Sequence, residues 1–381
     1  MLVIRTRWRA VALAVGLSVS GFGANAQADP ARLDTTHLTT NARAVYRTWQ
    51  AYLASRVGRF SATARTPSPY WSAAEQTRWP VYDLADFYLD DAAVPEIVAV
   101  EPVREGARDA YRITTRFHTG NQASRSATWW TAMTVTVFAA REGGAWKLSN
   151  ALPRLTAKWH RDTVGPITYV YAPDYPYDHA RAKRAVAFTD SLAAAFGVPT
   201  LAPLTYFLTP TVDEVYRIMG LESDVKFGPT GGAAQPVNRM LFSGNPALGE
   251  EYRHELVHLV LAPLVTGNTS YLVSEGVPTW IGGTAGATFS ASVRSLADFL
   301  KQRPTVSLDA IMSGSFSNAQ FYPAGAVLVD MVFRQGGVAA VKELFNSDGR
   351  GGDTKSIVAR LLKRPWPDVA RIWRARVMTY S

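Results

Sequence analysis

Gly249-Glu250-Glu251-Tyr252-Arg253-His254-Glu255-Leu256-Val257-His258-Leu259 decides how the second half of this chain reads. The surrounding apolar residues make it a helix. At about 100° per residue, positions four apart differ by about 40°, so His254 and His258 project from one face, one turn apart. Two imidazoles so placed can reach one ion with metal–nitrogen bonds of about 2 Å. Glu255 follows the first histidine and reaches the same cleft, where a metal-held water needs a base. Leu256, Val257, Leu259, Val260 and Leu261 pack the rest of the helix into a core. Two imidazoles leave an ion under-ligated, so a third ligand is expected downstream. Glu275 is the candidate, in Tyr271-Leu272-Val273-Ser274-Glu275-Gly276-Val277-Pro278-Thr279-Trp280. Two histidines and one carboxylate with an open position suit Zn2+. Fe(II) takes the same donors, but typically on oxygenase scaffolds rather than on such a helix.

His254-Glu255-x-x-His258, with Glu275 in a Ser-Glu-Gly-x-x-x-Trp setting, resembles the gluzincin zinc metallopeptidases, the superfamily of thermolysin and aminopeptidase N. The resemblance runs from about Val164 to the C-terminus, and its specific part is the two motifs. It implies that His254, His258 and Glu275 bind zinc, and that Glu255 is general base and then proton shuttle in peptide-bond hydrolysis. Two features depart from the family. No Gly-x-Met-Glu-Asn segment is present to hold a substrate's free amine, which leaves exopeptidase action without its usual anchor. Pro278 stands where a small residue such as Ala is usual, and is expected in the first turn of its helix, where a missing N–H costs little. Phe321-Tyr322-Pro323-Ala324-Gly325-Ala326, opening a later helix, resembles the tyrosine-bearing segment of these peptidases. That makes Tyr322 a candidate to face a developing oxyanion, with simple packing as the alternative.

The address is read from the other end. Arg5, Arg7 and Arg9 precede a mostly apolar run from Ala10 to Phe22, and Ala24-Asn25-Ala26 is a small-x-small cleavage site before Gln27. Residues 1–26 therefore read as a secretory signal peptide, too short for a spanning helix. The mature chain is expected to be exported, periplasmic or secreted, without stable membrane insertion. Zero cysteines exclude disulfides, thiolate zinc sites and cysteine-protease chemistry. Loss of Arg5, Arg7 and Arg9 takes the formal charge from +9 to +6, and the excess is spread out rather than run together. That is a basic surface without a nucleic-acid motif. Hydrophobic residues at 47% suffice for packed cores, and the length suits two domains.

Along the chain, 41–57 reads as an amphipathic helix with Val45, Trp49, Tyr52 and Leu53 on one face, and 70–79 as a second helix. Strand patterns follow at 96–103, 110–118, 128–139 and 145–149, the last pair joined by Glu142-Gly143-Gly144. Helices, then a curled antiparallel sheet ending in a Gly-Gly turn, are similar to the nuclear-transport-factor-2-like cone. Tyr111, Trp129, Trp130 and Trp146 could line a pocket there, but aromatic residues on strands ordinarily pack a core, and they are read so. His118 and His160 lack metal-like spacing and are taken as structural or exposed. Residues 152–165 read as a linker. Strands are expected at 166–171, 203–208 and 238–243, helices at 179–196 and 211–219, and a Gly-rich loop at 227–236. Asn245-Pro246 is expected to cap the motif helix. In gluzincins the strand at 238–243 is a sheet edge that an extended peptide can join by backbone hydrogen bonds. Helices are then expected at 291–302, 318–335, 338–345, 355–362 and 367–378.

The fold class expected is α+β: residues 27–155 as a helix-plus-curled-antiparallel-sheet domain, then 164–381 as a gluzincin-like domain. In the latter, 164–285 holds a small mixed sheet and the zinc-site helices, and 286–381 is all helical. The function expected is a zinc peptidase acting on a peptide or protein substrate. The alternatives are a non-catalytic peptide-binding protein on the same fold and a zinc hydrolase of a cell-envelope component. The oligomeric state is left open.

Overall fold

Period-2 alternation and helical spacing segregate along this chain, and the structure, a computed structural model, is accordingly mixed α+β with two small sheets and C-terminal helices. It describes residues 33–55, 68–78, 94–105, 108–119, 130–222, 231–236, 238–265, 269–345 and 354–381. The expected signal peptide and Trp129 lie outside them. The described residues divide between two compact units, 33–159 with 213–222, and 160–212 with 231–381.

In the first unit, α1 (Thr40–Ser55) buries Val45, Trp49, Tyr52 and Leu53, the face its spacing predicts. The second helix is shorter than expected: α2 is Ala73–Arg78, because Trp71 leaves helical geometry to bridge Leu148. The sheet is antiparallel in chain order, β1 (Val94–Glu105), β2 (Arg108–Thr119), β3 (Trp130–Glu142) and β4 (Ala145–Asn150). Register shifts at Ile97/Ala99 in β1 and at Phe117/His118 between β2 and β3 insert bulges, which sharpen twist. Trp49 Nε1 donates to Thr115 Oγ1 at 2.8 Å, pinning α1 to the sheet. Tyr111 and Trp146 are buried edge-to-face, 5.3 Å apart, as core. His118 is buried too, 3.0 Å from Glu96.

Residues 152–165 carry the boundary between the two units, at Trp159/His160, but they are not an open linker. They form a short helix, α3 (Leu152–Leu155), and β5 (His160–Val164), which pairs antiparallel with β6 (Ile167–Tyr171). The strand escaped notice because His160-Arg161-Asp162-Thr163-Val164 is largely exposed at a sheet edge and carries no apolar alternation. α4 (His179–Phe196) begins under the Asp178 cap and ends at Gly197 in the left-handed region, the bounds expected. β7 (Leu204–Leu208) lies parallel to β6. The chain then leaves this sheet. α5 (Val212–Ile218) leads to β8 (Leu221–Glu222), which pairs with β3 of the first unit, so 213–222 belong there and not with the second domain.

On return, β9 (Gly232–Gln235) and β10 (Met240–Ser243) complete the order β5-β6-β7-β10-β9. This corrects two expectations. Part of the Gly-rich loop is a strand, and β10 is interior, parallel to β7 and antiparallel to β9, so among the described residues the edge is β9. Gly-Ala-Ala-Gln offers neither β-branching nor alternation, and only its backbone pairing makes it a strand. At the other edge, Asp162 accepts hydrogen bonds from His179 Nδ1 at 2.7 Å and Tyr177 Oη at 2.8 Å, and these hold its carboxyl below the ordinary range. A depressed carboxylate pKa adds stability that is present above the unfolded-state value and lost as pH falls through the folded one. Asp162→Asn is therefore expected to melt a few degrees lower than the parent at neutral pH. The gap should close in acid, as thermal melts across pH will show.

The helical part follows: α6 (Arg253–Leu261), α7 (Tyr271–Gly282), α8 (Phe289–Gln302), α9 (Leu308–Met312), α10 (Asn318–Phe345), α11 (Thr354–Leu362) and α12 (Trp366–Met378). α10 breaks at Gly336 and Gly337, where the backbone leaves helical geometry, giving the two helices expected. Its length and hydropathy are those of a membrane span, but 56% of that window is buried in the fold, as in a core helix. Trp373 Nε1 donates to Ala324 O at 3.1 Å within this core.

Candidate metal centre

The motif helix is placed by what precedes it. Tyr206 Oη on β7 donates to Gly249 O at 2.6 Å, and Tyr169 Oη on β6 donates to Glu250 O at 3.3 Å. The Glu250 carboxylate in turn accepts Asp178 N–H at 2.9 Å, fastening the same turn to the start of α4. Asn245 does not cap α6. Its Oδ1 closes a turn on Ala247 N, and α6 starts eight residues later behind Tyr252, which makes no side-chain cap. Sheet tyrosines thus do the aiming that a cap was expected to do.

Three donor atoms converge. His254 Nε2 lies 3.3 Å from both Glu275 Oε2 and His258 Nε2, and His258 Nε2 lies 3.7 Å from Glu275 Oε2. A tetrahedral zinc with bonds of about 2.0–2.2 Å sets its ligands roughly 3.3–3.5 Å apart, so the donors are spaced for one ion. His254 Nδ1 is 2.7 Å from Gly283 O. In the neutral ring the nitrogen facing a carbonyl carries the proton, which leaves Nε2 as a lone pair turned on the cluster. That lone pair faces a carboxylate oxygen at hydrogen-bond distance, and two acceptors face one another only if a cation or a proton stands with them. Glu275 is fully buried, and its Oε1 has no hydrogen-bond partner among the described residues. The donor set fits a divalent ion.

The electrostatics call for positive charge at this point, which a proton or a metal ion can supply. Burial pushes the Glu275 carboxyl up, yet the charge of His258 and hydrogen bonds with both histidines outweigh it and hold the group down to about 2. Burial disfavours the charged form of His254, but Glu275 and Glu255 overcome that and raise it. For Glu255 desolvation wins over the histidines, and its carboxyl is raised. Glu255 is buried beside its helix neighbours, with the Ala234 backbone of β9 near enough to lower its carboxyl slightly and its Oε2 unpartnered among the described residues. Gly244 N–H bonds Gly231 O, so along the antiparallel ladder Gly232 and Ala234 turn their own backbone groups to the open edge. The edge strand therefore meets the base directly.

Tyr322 sits on the other side, its ring parallel to that of His254 at 5.9 Å and 11°. Its hydroxyl lies 3.0 Å from Tyr271 Oη, a residue the motifs did not single out. A clue was present: Tyr271 and Glu275 are one helical turn apart.

Glycines let these helices meet. A Cβ on Gly276 would lie 2.8 Å from Gly325 C, and one on Gly325 would lie 2.6 Å from Leu272 O, so α7 and α10 cross in backbone contact. A Cβ on Gly282 would lie 2.6 Å from His254 N, so the end of α7 also abuts the start of α6. Pro278 is not in the first turn of α7, as expected, but its eighth residue. It leaves Ser274 O without its helical donor. Neither a scan against protein-family models nor a search of curated proteins finds a match to this chain.

Proposed function

We propose that this chain is a zinc-dependent peptidase of the gluzincin type, with His254, His258 and Glu275 as metal ligands and Glu255 as the base. The observation that carries this reading is the three-donor cluster with an unpartnered, buried carboxylate next to it. A bound Zn2+ would supply Lewis acidity, bringing the pKa of water towards about 7 and polarising a carbonyl. Glu255 is suited to the proton work. The Ala234 backbone flanks the group, Oε2 remains to take a proton from water, and burial raises its basicity. The same oxygen then returns the proton to the leaving amine. Tyr322 would donate to the oxyanion forming on the substrate carbonyl.

The substrate class follows from the edge of β9. An extended peptide can pair with the outward N–H and C=O of Gly232 and the C=O of Ala234, which bring its backbone alongside Glu255 whatever its sequence. This assigns to β9 the role expected of β10. Export, with cleavage near Ala26, belongs to the same proposal and would place the enzyme among periplasmic or secreted substrates.

Metal analysis paired with hydrolysis of unfolded casein tests the reading. About one zinc per chain, cleavage lost on treatment with 1,10-phenanthroline and regained with added Zn2+ is the expected result. A chain that takes up no zinc, or that cleaves casein equally well without metal, would overturn it. Zinc bound without cleavage would favour a binding protein or a hydrolase of another bond.

A further inference from the structure

We propose that Tyr271 and Asn318 are positioning residues that donate into the oxygen of Tyr322, leaving the Tyr322 O–H to donate to an oxyanion at the metal centre. The proposal rests on the peptidase reading and extends it to two residues outside both motifs. Tyr271 Oη lies 3.0 Å from Tyr322 Oη, and Asn318 Nδ2 donates to the same atom at 3.4 Å. A phenol oxygen has two lone pairs and one proton. With both lone pairs engaged, the proton must find an acceptor elsewhere.

The contact allows either hydroxyl to donate, and the proposal takes Tyr271 as the donor. Tyr271 is 42% exposed and Tyr322 only 8%. Water can donate to Tyr271 and turn its proton inward, whereas Tyr322 is shielded from such competition. Tyr271 is held to its aim by stacking on Phe321, 5.3 Å between centroids at 27°. On its far side Tyr322 lies along the His254 ring, within electrostatic reach of the Glu275 and Glu255 carboxylates, which draw its free proton towards the cluster. Hydrogen bonds in series polarise one another, so Tyr322 becomes a stronger donor than an isolated phenol. Asn318 and Tyr322 are one turn apart on α10, as Tyr271 and Glu275 are on α7. The glycine crossing holds the two pairs in register.

A double-variant cycle on the full chain loaded with zinc tests this, with labelled casein as substrate. Tyr322→Phe is expected to lower kcat about 100-fold. Tyr271→Phe should lower it about 10-fold with KM within about twofold, the size of a supporting hydrogen bond. The double variant should be no slower than Tyr322→Phe, because Tyr271 acts only through Tyr322. Asn318→Asp replaces a donor by an acceptor, captures the Tyr322 proton and should approach Tyr322→Phe. A second readout needs neither metal nor substrate: with tyrosine Cζ labelled, Tyr271→Phe should shift the Tyr322 resonance. An active parent in which the two losses multiply, in which Tyr271→Phe changes KM alone, or in which that resonance stays put would overturn the pairing. A zinc-loaded parent that cleaves no casein would overturn the peptidase reading and, with it, the oxyanion role.

Discussion

Glu255→Gln is expected to bind zinc as the parent does and to hydrolyse casein about 100- to 10,000-fold more slowly, the span usual for loss of a general base. The separation of the two effects comes from the geometry. Glu255 is not among the three atoms that converge, whose spacings of 3.3, 3.3 and 3.7 Å involve His254, His258 and Glu275 alone. Gln keeps an oxygen beside the Ala234 backbone but has no basic oxygen to take a proton. The change should not weaken the fold. Glu255 is a buried carboxylate with one oxygen unpartnered among the described residues, and a neutral isostere relieves its desolvation. Zinc content, kcat and thermal midpoint measured on one preparation settle it. A variant that turns over at close to the parent's rate removes Glu255 from the mechanism, and one that loses zinc makes it a ligand.

Gly276→Ala and Gly325→Ala should each destabilise the protein and weaken zinc binding, against the direction that helix propensity alone would give. In an unobstructed helix, Ala is favoured over Gly by about 1 kcal/mol. Here the new methyl would stand 2.8 Å from Gly325 C in one case and 2.6 Å from Leu272 O in the other. Backbone cannot swing aside as a side-chain tip can, so α7 and α10 must part by several tenths of an ångström. Overpacking of this kind costs about 1–3 kcal/mol, enough to reverse the propensity gain. Glu275 is next to Gly276 in sequence and Tyr322 is one turn before Gly325, so both move with the crossing. Zinc affinity should fall about 10-fold or more, as it does when a ligand's support is disturbed. Zinc titration followed by chemical unfolding reads both effects. Variants as stable as the parent, with unchanged zinc affinity, would show that the crossing does not set the ligand geometry.

Much of this was legible in the residues, and for physical reasons. A helix carries its own period, so the buried face of α1, the bounds of α4 and the break of α10 at Gly336-Gly337 could be read from local spacing and backbone preference. His254 and His258 needed only the pitch of one helix to be brought together. The proximity of Glu275 followed from coordination chemistry, since an ion held by two imidazoles wants a third donor. β5 and β9 were missed because edge strands owe their form to a neighbour: one is polar, the other is Gly-Ala-Ala-Gln, and neither declares a period.

By itself, the sequence determined the longer helices, the mixed α+β class and which side chains to look for as a cluster, His254, His258 and Glu275. It could do so because each depends on side-chain chemistry and on contacts within a turn or two. Tertiary structure alone decided that β9 rather than β10 is the open edge, that Ala234 meets Glu255, and that Tyr271 meets Tyr322. It alone gave Gly276, Gly282 and Gly325 their purpose. Those facts are distances between segments far apart in the chain, and a residue without a side chain leaves no local trace of the backbone that will come to lie against it.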